Sequence, residues 1–307
     1  MRTIVYIPTL NAGAVWTAVL AALNRQSLKP TKKVLVDSGS TDGTLSSKEL
    51  TGFEVLTIDK KDFDHGGTRQ LVINKFPDAD IYIFLTQDAI LADQYALEKL
   101  VQAFINDSTI GVAYGRQLPH KGAKTLEAHA RLFNYPSISQ IRSMDNASQY
   151  GIRTASCSNS FAAYSKEAFE QAGGFPSGTI LGEDVIAAGR ILLNGWKLAY
   201  VAEAAVYHSH DYTVGEEFRR YFDIGVFHRT NAWIFDHFGH ADSEGFKYVK
   251  SELAYVLKHN IFVLPKSIFS IGAKWLGYKL GMYYKKWPIT WNKWLSMHKA
   301  YWQKHRS

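Results

Sequence analysis

Lys33-Val34-Leu35-Val36-Asp37-Ser38-Gly39-Ser40-Thr41-Asp42-Gly43-Thr44 decides how this chain is read. Its first part is a β-branched run of strand length. Its second part is turn chemistry, with glycines that allow a close backbone approach and hydroxyls suited to cap a helix. Upstream, Ile4–Ile7 is a second such run, and between the two Ala14–Gln26 carries Val15, Val19, Ala22 and Leu23 on one helical face. Strand, helix, strand at this pitch predicts a βαβ unit and hence a parallel sheet. Downstream the alternation continues with a strand over Glu54–Ile58, a helix from Thr68 to Lys75 and a strand over Ile81–Leu85. A helix over Tyr95–Asn106 and a strand over Gly111–Tyr114 follow.

Further along, the pattern loosens. Residues 116–150 are polar and aperiodic, which predicts a long functional insertion. A strand-like run over Cys157–Tyr164 precedes a helix ending at Gly173-Gly174, and another helix runs from Gly182-Glu183-Asp184 to Gly195. Two short strands, Leu198–Val201 and Ala205–His208, lead into mostly helical sequence. No internal repeat is visible.

The composition narrows the classes. Of 307 residues 46% are hydrophobic and 21% charged, which excludes wholesale disorder. The single cysteine, Cys157, excludes a disulfide framework and a multi-cysteine metal site. Met1-Arg2 leads straight into the first strand, so no secretory signal is expected. The most apolar stretch, Asn260–Gly277, is broken by Pro265, Lys266 and Lys274, whereas a membrane span needs about 20 mostly apolar residues.

Net charge is +7, but residues 245–307 hold 11 Lys and one Arg (Arg306) against Glu252 alone. That tail is therefore +11 and residues 1–244 carry −4. Five of the eight Trp also fall there, at Trp275, Trp287, Trp291, Trp294 and Trp302. Lys interleaved with Trp predicts a peripheral anchor on an anionic bilayer surface. Nucleic acid is not expected as a partner, because no recognised motif accompanies the charge.

Ligands of open α/β sheets bind beyond the carboxyl ends of the strands. There the sequence places Pro8-Thr9-Leu10-Asn11, Asp37–Thr44, Asp62-Phe63-Asp64-His65-Gly66-Gly67-Thr68-Arg69 and Thr86-Gln87-Asp88. Neither G-x-G-x-x-G nor a Walker lysine loop is present, which argues against nicotinamide enzymes and P-loop NTPases. A nucleotidyltransferase would need a basic phosphate loop near the N-terminus, which Pro8–Gly13 lacks. Asp88 suits a hard cation but also a helix cap. His208 and His210 share a face only if their strand persists. Glu183-Asp184 opens a helix, where the dipole favours acids and where a general base could equally stand.

Taken in order, Pro8–Asn11, Val36–Thr44, Thr86-Gln87-Asp88, Ala172-Gly173-Gly174-Phe175-Pro176 and Gly182-Glu183-Asp184 resemble a family 2 inverting glycosyltransferase over residues 3–210. The block Phe63–Arg69, with Tyr207-His208-Ser209-His210-Asp211-Tyr212 and Phe218–Phe227, resembles the bacterial rhamnosyltransferase branch. The resemblance implies a GT-A fold: a Rossmann-like, mostly parallel α/β sheet flanked by helices. It would form a transferase domain over 1–212, with a nucleotide-binding half (1–115) and an acceptor half (116–212). The helical, basic region 213–307 would contact a membrane surface or a second protomer.

The resemblance further implies that Thr9 and Asp37 hold a pyrimidine base and that Arg69 helps fix base or ribose. Pro8, Asn11, Ser38, Gly39, His65, Gly66 and Gln87 would complete the nucleotide-sugar site. Asp88 would bind Mg²⁺ or Mn²⁺ together with His208, with His210 as a further candidate. Asp184 would be the catalytic base, with Glu183 beside it. The first Asp of the family's D-x-D motif is Thr86 here, so one negative charge is missing and the donor diphosphate would carry much of the metal binding. The implied reaction transfers L-rhamnose from dTDP-β-L-rhamnose to a lipid-linked oligosaccharide in cell-surface polysaccharide synthesis. It would take place on the cytoplasmic face of the bacterial inner membrane. A UDP-hexose donor is the alternative, and a non-catalytic glycan-binding scaffold a more distant one.

Overall fold

The computed structural model describes residues 1–239 and 242–304, in two compact units. Arg306 of the basic tail lies outside the described residues. The first unit comprises residues 1–118, 135–177 and 183–208; the second comprises residues 119–134, 178–182 and 209–307.

The first unit is a nine-stranded sheet with helices. Strands β1 (Thr3–Thr9), β2 (Lys32–Asp37), β3 (Phe53–Thr57) and β4 (Ile81–Leu85) run parallel in the order β3-β2-β1-β4. Helices α1 (Trp16–Asn24) and α2 (His65–Lys75) connect them. β5 (Ile90–Leu91), α3 (Ala96–Asn106) and β6 (Ile110–Leu118) follow, then β7 (Gln140–Arg142) and β8 (Phe161–Ser165). β8 lies antiparallel between β4 and β6, while β9 (Lys197–Tyr207) runs parallel to β6.

Alternation along the strands gives the sheet two different faces. Val5, Ile7, Ile83 and Leu85 point into an aliphatic core with Val19, Leu20 and Leu23 of α1 and Leu97 and Leu100 of α3. Tyr6 and Phe84 point the other way, into an aromatic core. There Phe84 meets Tyr164 and Phe175 edge to face at 5.6 and 5.2 Å. Phe169 packs on Phe175 at 4.7 Å.

Three expectations need correction. The two short strands over 198–208 are one strand, β9, whose register against β6 shifts between Gly115 and Arg116. The polar interruption at Glu203 reflects that irregularity rather than a turn. His208 lies beyond the strand end, so strand alternation does not relate it to His210. Residues 116–150, read as a long aperiodic insertion, finish β6 and contain α4 (Thr125–Asn134), β7 and the short helix α5 (Ala147–Tyr150). Residues 157–160, expected to be strand, form the loop before β8.

The remaining helices of the first unit are α6 (Lys166–Gln171) and α7 (Glu183–Leu193). The second unit contains α4, α8 (Val214–Thr230), α9 (Trp233–Phe238) and α10 (Asp242–His259). It continues with α11 (Leu264–Met282), α12 (Ile289–Leu295) and α13 (Tyr301–Lys304). α8 opens with a capping box in which Thr213 and Glu216 satisfy each other's backbone N–H.

Gly115 marks the tightest point of the β6–β9 irregularity. A Cβ there would lie 2.3 Å from the Phe161 ring and 2.5 Å from the Ala204 carbonyl oxygen. Gly115→Ala is expected to destabilise by about 1–3 kcal/mol, the range for overpacking. Gly215, in the open first turn of α8, has nothing within 4 Å of its would-be Cβ. Gly215→Ala is expected to stabilise by about 0.4–1 kcal/mol, and urea unfolding measures both.

Candidate active site

The candidate residues of the first unit gather at the carboxyl ends of β1, β2, β4, β6 and β9 in three small networks. The first ties together the loops after β1 and β2. Asp37 is 1% exposed. It accepts hydrogen bonds from Thr9 Oγ1, Ser40 Oγ and the backbone N–H groups of Gly39 and Ser40. Ser38 Oγ donates to the Thr9 carbonyl at 3.0 Å. Asn11 takes a left-handed φ of 48° and accepts from Thr41 N–H at 2.8 Å, which locks one loop to the other. Gln87 braces the same loop with both ends of its amide: Oε1 accepts from Leu10 N–H at 2.8 Å and Nε2 donates to Leu10 O at 3.2 Å. Pro8 is half-buried within β1.

The second network lies where the N-terminus of α2 meets that of α7. Asp64 caps α2 by accepting from Gly67 N–H. Gly66 is needed for a close approach, since a Cβ would sit 1.8 Å from the Pro176 carbonyl oxygen. Arg69, one helical turn on from His65, donates to the His65 carbonyl at 2.8 Å and pairs with Glu183 at 2.9 Å. The resemblance implies Arg69 at base or ribose; in the structure its side chain is 5% exposed and is held against the Glu183 carboxylate. Asn159 joins the pair from the loop before β8. Its Nδ2 donates to Glu183 at 3.2 Å, its backbone N–H to Asp184 Oδ2 at 3.0 Å, and Tyr164 OH donates to its Oδ1 at 2.9 Å. Val185 N–H supplies the other oxygen of Asp184 at 2.9 Å.

The two adjacent carboxyls are pushed apart. Burial raises Glu183, but Arg69 and then His65 outweigh it and hold the group below its ordinary value. Burial, followed by the charge on Glu183, raises Asp184 to about 7. One stays ionised and the other exchanges a proton near neutrality, the separation of roles that acid–base sites require. Burial also lowers His65, keeping its imidazole neutral to a lower pH.

The third network is metal-like. His208 Nε2 faces Asp88 Oδ1 at 3.4 Å, and His208 Nδ1 lies 2.9 Å from Gln117 Oε1. Gln117 Nε2 donates to Ser158 Oγ at 2.8 Å, so its carbonyl oxygen accepts from His208 Nδ1 and turns Nε2 toward Asp88. An imidazole nitrogen and a carboxylate oxygen at this distance can share a proton or a cation between them. Nitrogen and carboxylate donors suit Mn²⁺ and accept Mg²⁺. His210 lies two residues along, in the second unit, stacked on Tyr212 with ring centroids 5.4 Å apart. The three networks are joined by chain neighbours, Gln87 with Asp88 and Ser158 with Asn159, so they form one site.

Sequence reasoning missed Asn159, Gln117 and Ser158. The signal was there: Ser158-Asn159-Ser160 is a polar triplet at the start of a run read as a strand, where unpaired polar groups are costly once buried.

Comparison with known proteins gives the family. The Glycosyl transferase family 2 profile matches residues 4–173. The chain is 48% identical over 303 residues to the O-antigen chain rhamnosyltransferase RfbN of Salmonella typhimurium, covering 98% of this chain and 96% of that one. It is 44% identical to the O-antigen chain rhamnosyltransferase WbaN of Salmonella anatum, covering 96% and 94%. Among solved structures, the mannosyltransferase PcManGT of Pyrobaculum calidifontis, in complex with GDP-Man and Mn²⁺, superposes with a TM-score of 0.58 at 19% identity. That match covers 98% of this chain and 85% of that one, and it bears on the fold.

Two outcomes follow from the carboxyl pair. Arg69→Leu leaves Glu183 buried without its cation and is expected to destabilise by about 3–5 kcal/mol in chemical unfolding. For Asp184, a folded value of about 7 exceeds that of an unfolded aspartate, about 3.9. The folded state therefore holds the extra proton between these values, and the resulting stabilisation is lost as pH rises through 7. Asp184→Asn removes that loss, so its melting temperature is expected to gain on wild type between pH 5 and pH 8.

Proposed function

The chain belongs to glycosyl transferase family 2 and is a glycosyltransferase acting on a nucleotide-sugar donor, and we propose that it transfers L-rhamnose from dTDP-β-L-rhamnose to a lipid-linked saccharide of O-antigen synthesis. The observation that carries the mechanism is the carboxyl pair at the start of α7, with Glu183 held against Arg69 at 2.9 Å and both oxygens of Asp184 accepting backbone N–H groups. The likeness to two O-antigen rhamnosyltransferases over nearly the whole chain supports the sugar and the acceptor class.

In this reading Asp184 accepts the proton of an acceptor hydroxyl as that oxygen attacks the anomeric carbon. The new bond forms on the face opposite the nucleotide, the bond to the β-phosphate oxygen breaks, and the β-linked donor gives an α-linked product. Asn159 N–H and Val185 N–H hold both oxygens of Asp184, which fixes the direction in which the base presents its lone pair. Arg69 acts on the pair as a positioning residue, keeping Glu183 charged so that its field maintains Asp184 as a base. Thr9, Asn11, Asp37, Ser38, Gly39 and Gln87 shape the loops that receive the nucleotide.

Asp88 and His208 would hold Mg²⁺ or Mn²⁺. When bound, the cation supplies Lewis-acid stabilisation of the departing diphosphate. The acceptor lipid places the reaction on the cytoplasmic face of the inner membrane.

Asp184→Asn keeps the shape of the side chain and removes the base. Turnover is expected to fall about 10²–10⁴-fold, while calorimetric titration with dTDP-L-rhamnose and Mn²⁺ gives a Kd within about twofold of wild type. Near-normal turnover would overturn the assignment of the base. Binding of UDP-glucose in preference to the thymidine donor would overturn the sugar.

A further inference from the structure

α11 is built inside out. Toward its neighbours in the second unit it buries Ser267, Ser270, Lys274, Gly277 and Gly281. Cβ atoms at Gly277 and Gly281 would lie 2.3 and 2.1 Å from the carbonyl oxygens of Phe218 and Phe222 in α8. Gly225 of α8 answers from the other side, with its would-be Cβ 2.4 Å from the Tyr278 carbonyl oxygen. The seam is therefore backbone against backbone. Outward, the same helix and the turn before it show Phe262 at 92% exposure, Phe269 at 69% and Trp275 at 63%, with Ile261, Ile268 and Leu276 also exposed. These positions recur at helical spacing and form one stripe.

A helix that packs in water does the reverse, hiding its large apolar residues and showing its polar ones. Small residues at the seam and large apolar residues outside are the pattern of helices whose surroundings are lipid. No described helix is long and apolar enough to cross a membrane, so a lipid-facing α11 would lie along the surface.

Charge selects among the occupants of this face. Glu252 is the only acid in residues 245–307 and is fully buried. Inside, Ser267 Oγ donates to it at 2.7 Å and Lys274 Nζ at 3.4 Å. From residue 245 to 304 no carboxylate therefore meets solvent. Lys258 precedes the apolar stripe, Lys279 ends it and Lys285 and Lys286 follow, all exposed. A second copy of the chain docked face to face would set these lysines against their own equivalents. An anionic headgroup layer matches both the lysines and the apolar stripe.

We propose that the outer face of α11, with its flanking lysines, docks in the plane of a bilayer rich in anionic phospholipid. This names the surface by which the chain reaches the lipid-linked acceptor proposed above, on observations that the transferase reading does not use.

The test is flotation of the full chain with vesicles of phosphatidylglycerol and phosphatidylethanolamine, with phosphatidylcholine vesicles as control. The double variant Phe269→Glu, Trp275→Glu alters exposed side chains, and its melting temperature and donor Kd report that fold and transferase site are intact. Wild type is expected to float with the anionic vesicles at low salt and at least about tenfold less with the control, while the variant loses at least about tenfold in partitioning. Failure of wild type to float overturns the proposal, whether or not the donor binds. So does a wild-type dimer in sedimentation that the variant converts to monomer without any vesicle binding. Failure of donor binding in a protein that floats would count against the transferase reading alone.

Discussion

The 2.9 Å contact between Arg69 and Glu183 is the interaction on which the site depends. It joins the second turn of α2 to the first turn of α7, two helices whose N-terminal dipoles both favour negative charge. Removing an ion pair from water is unfavourable unless geometry and further hydrogen bonds compensate. Here Asn159 Nδ2 supplies part of that compensation, and its own backbone N–H reaches the next carboxyl. One buried cation thus favours the charged form of Glu183, and that charge adds to burial in raising the proton affinity of Asp184. Electrostatics and helix packing are the same contact at this point.

The loops after β1 and β2 show a related economy of parts. Asp37 is engaged on both oxygens by Thr9, Gly39 and Ser40, and Gln87 grips Leu10 by both its atoms. The amide at position 87 can donate and accept at once, which a carboxylate cannot do. The amide therefore has a mechanical outcome: the loop after β1 is fastened to the end of β4, and Asp88 follows directly as the carboxylate that faces His208.

Much of this was legible in the sequence because period-2 and helical patterns are local. The βαβ alternation through residue 115, the small-residue turn at Asp37–Thr44 and the acidic start of α7 all stand as expected, within a few residues at their ends. What was not legible depends on partners distant in the chain. That Arg69 meets Glu183 is a contact across 114 positions. Gln117 carries no local pattern that would mark it as the group orienting His208 across 91 positions. The irregularity of β9 looked like a turn because its cause is Gly115 in another strand. The outward stripe of α11 was half visible: charge and Trp content pointed to lipid, but periodicity alone does not say which side of a helix faces in.

The glycine seam between α8 and α11 bears on how the sequence can vary over evolutionary time. Where Gly277 and Gly281 touch the backbone of α8, a single methyl group already collides. On the opposite side, Phe262 and Phe269 touch so little protein that any apolar residue would serve. The steric constraint on this helix is therefore turned around: its smallest residues leave no room for a larger side chain, and its largest ones have room for any apolar replacement.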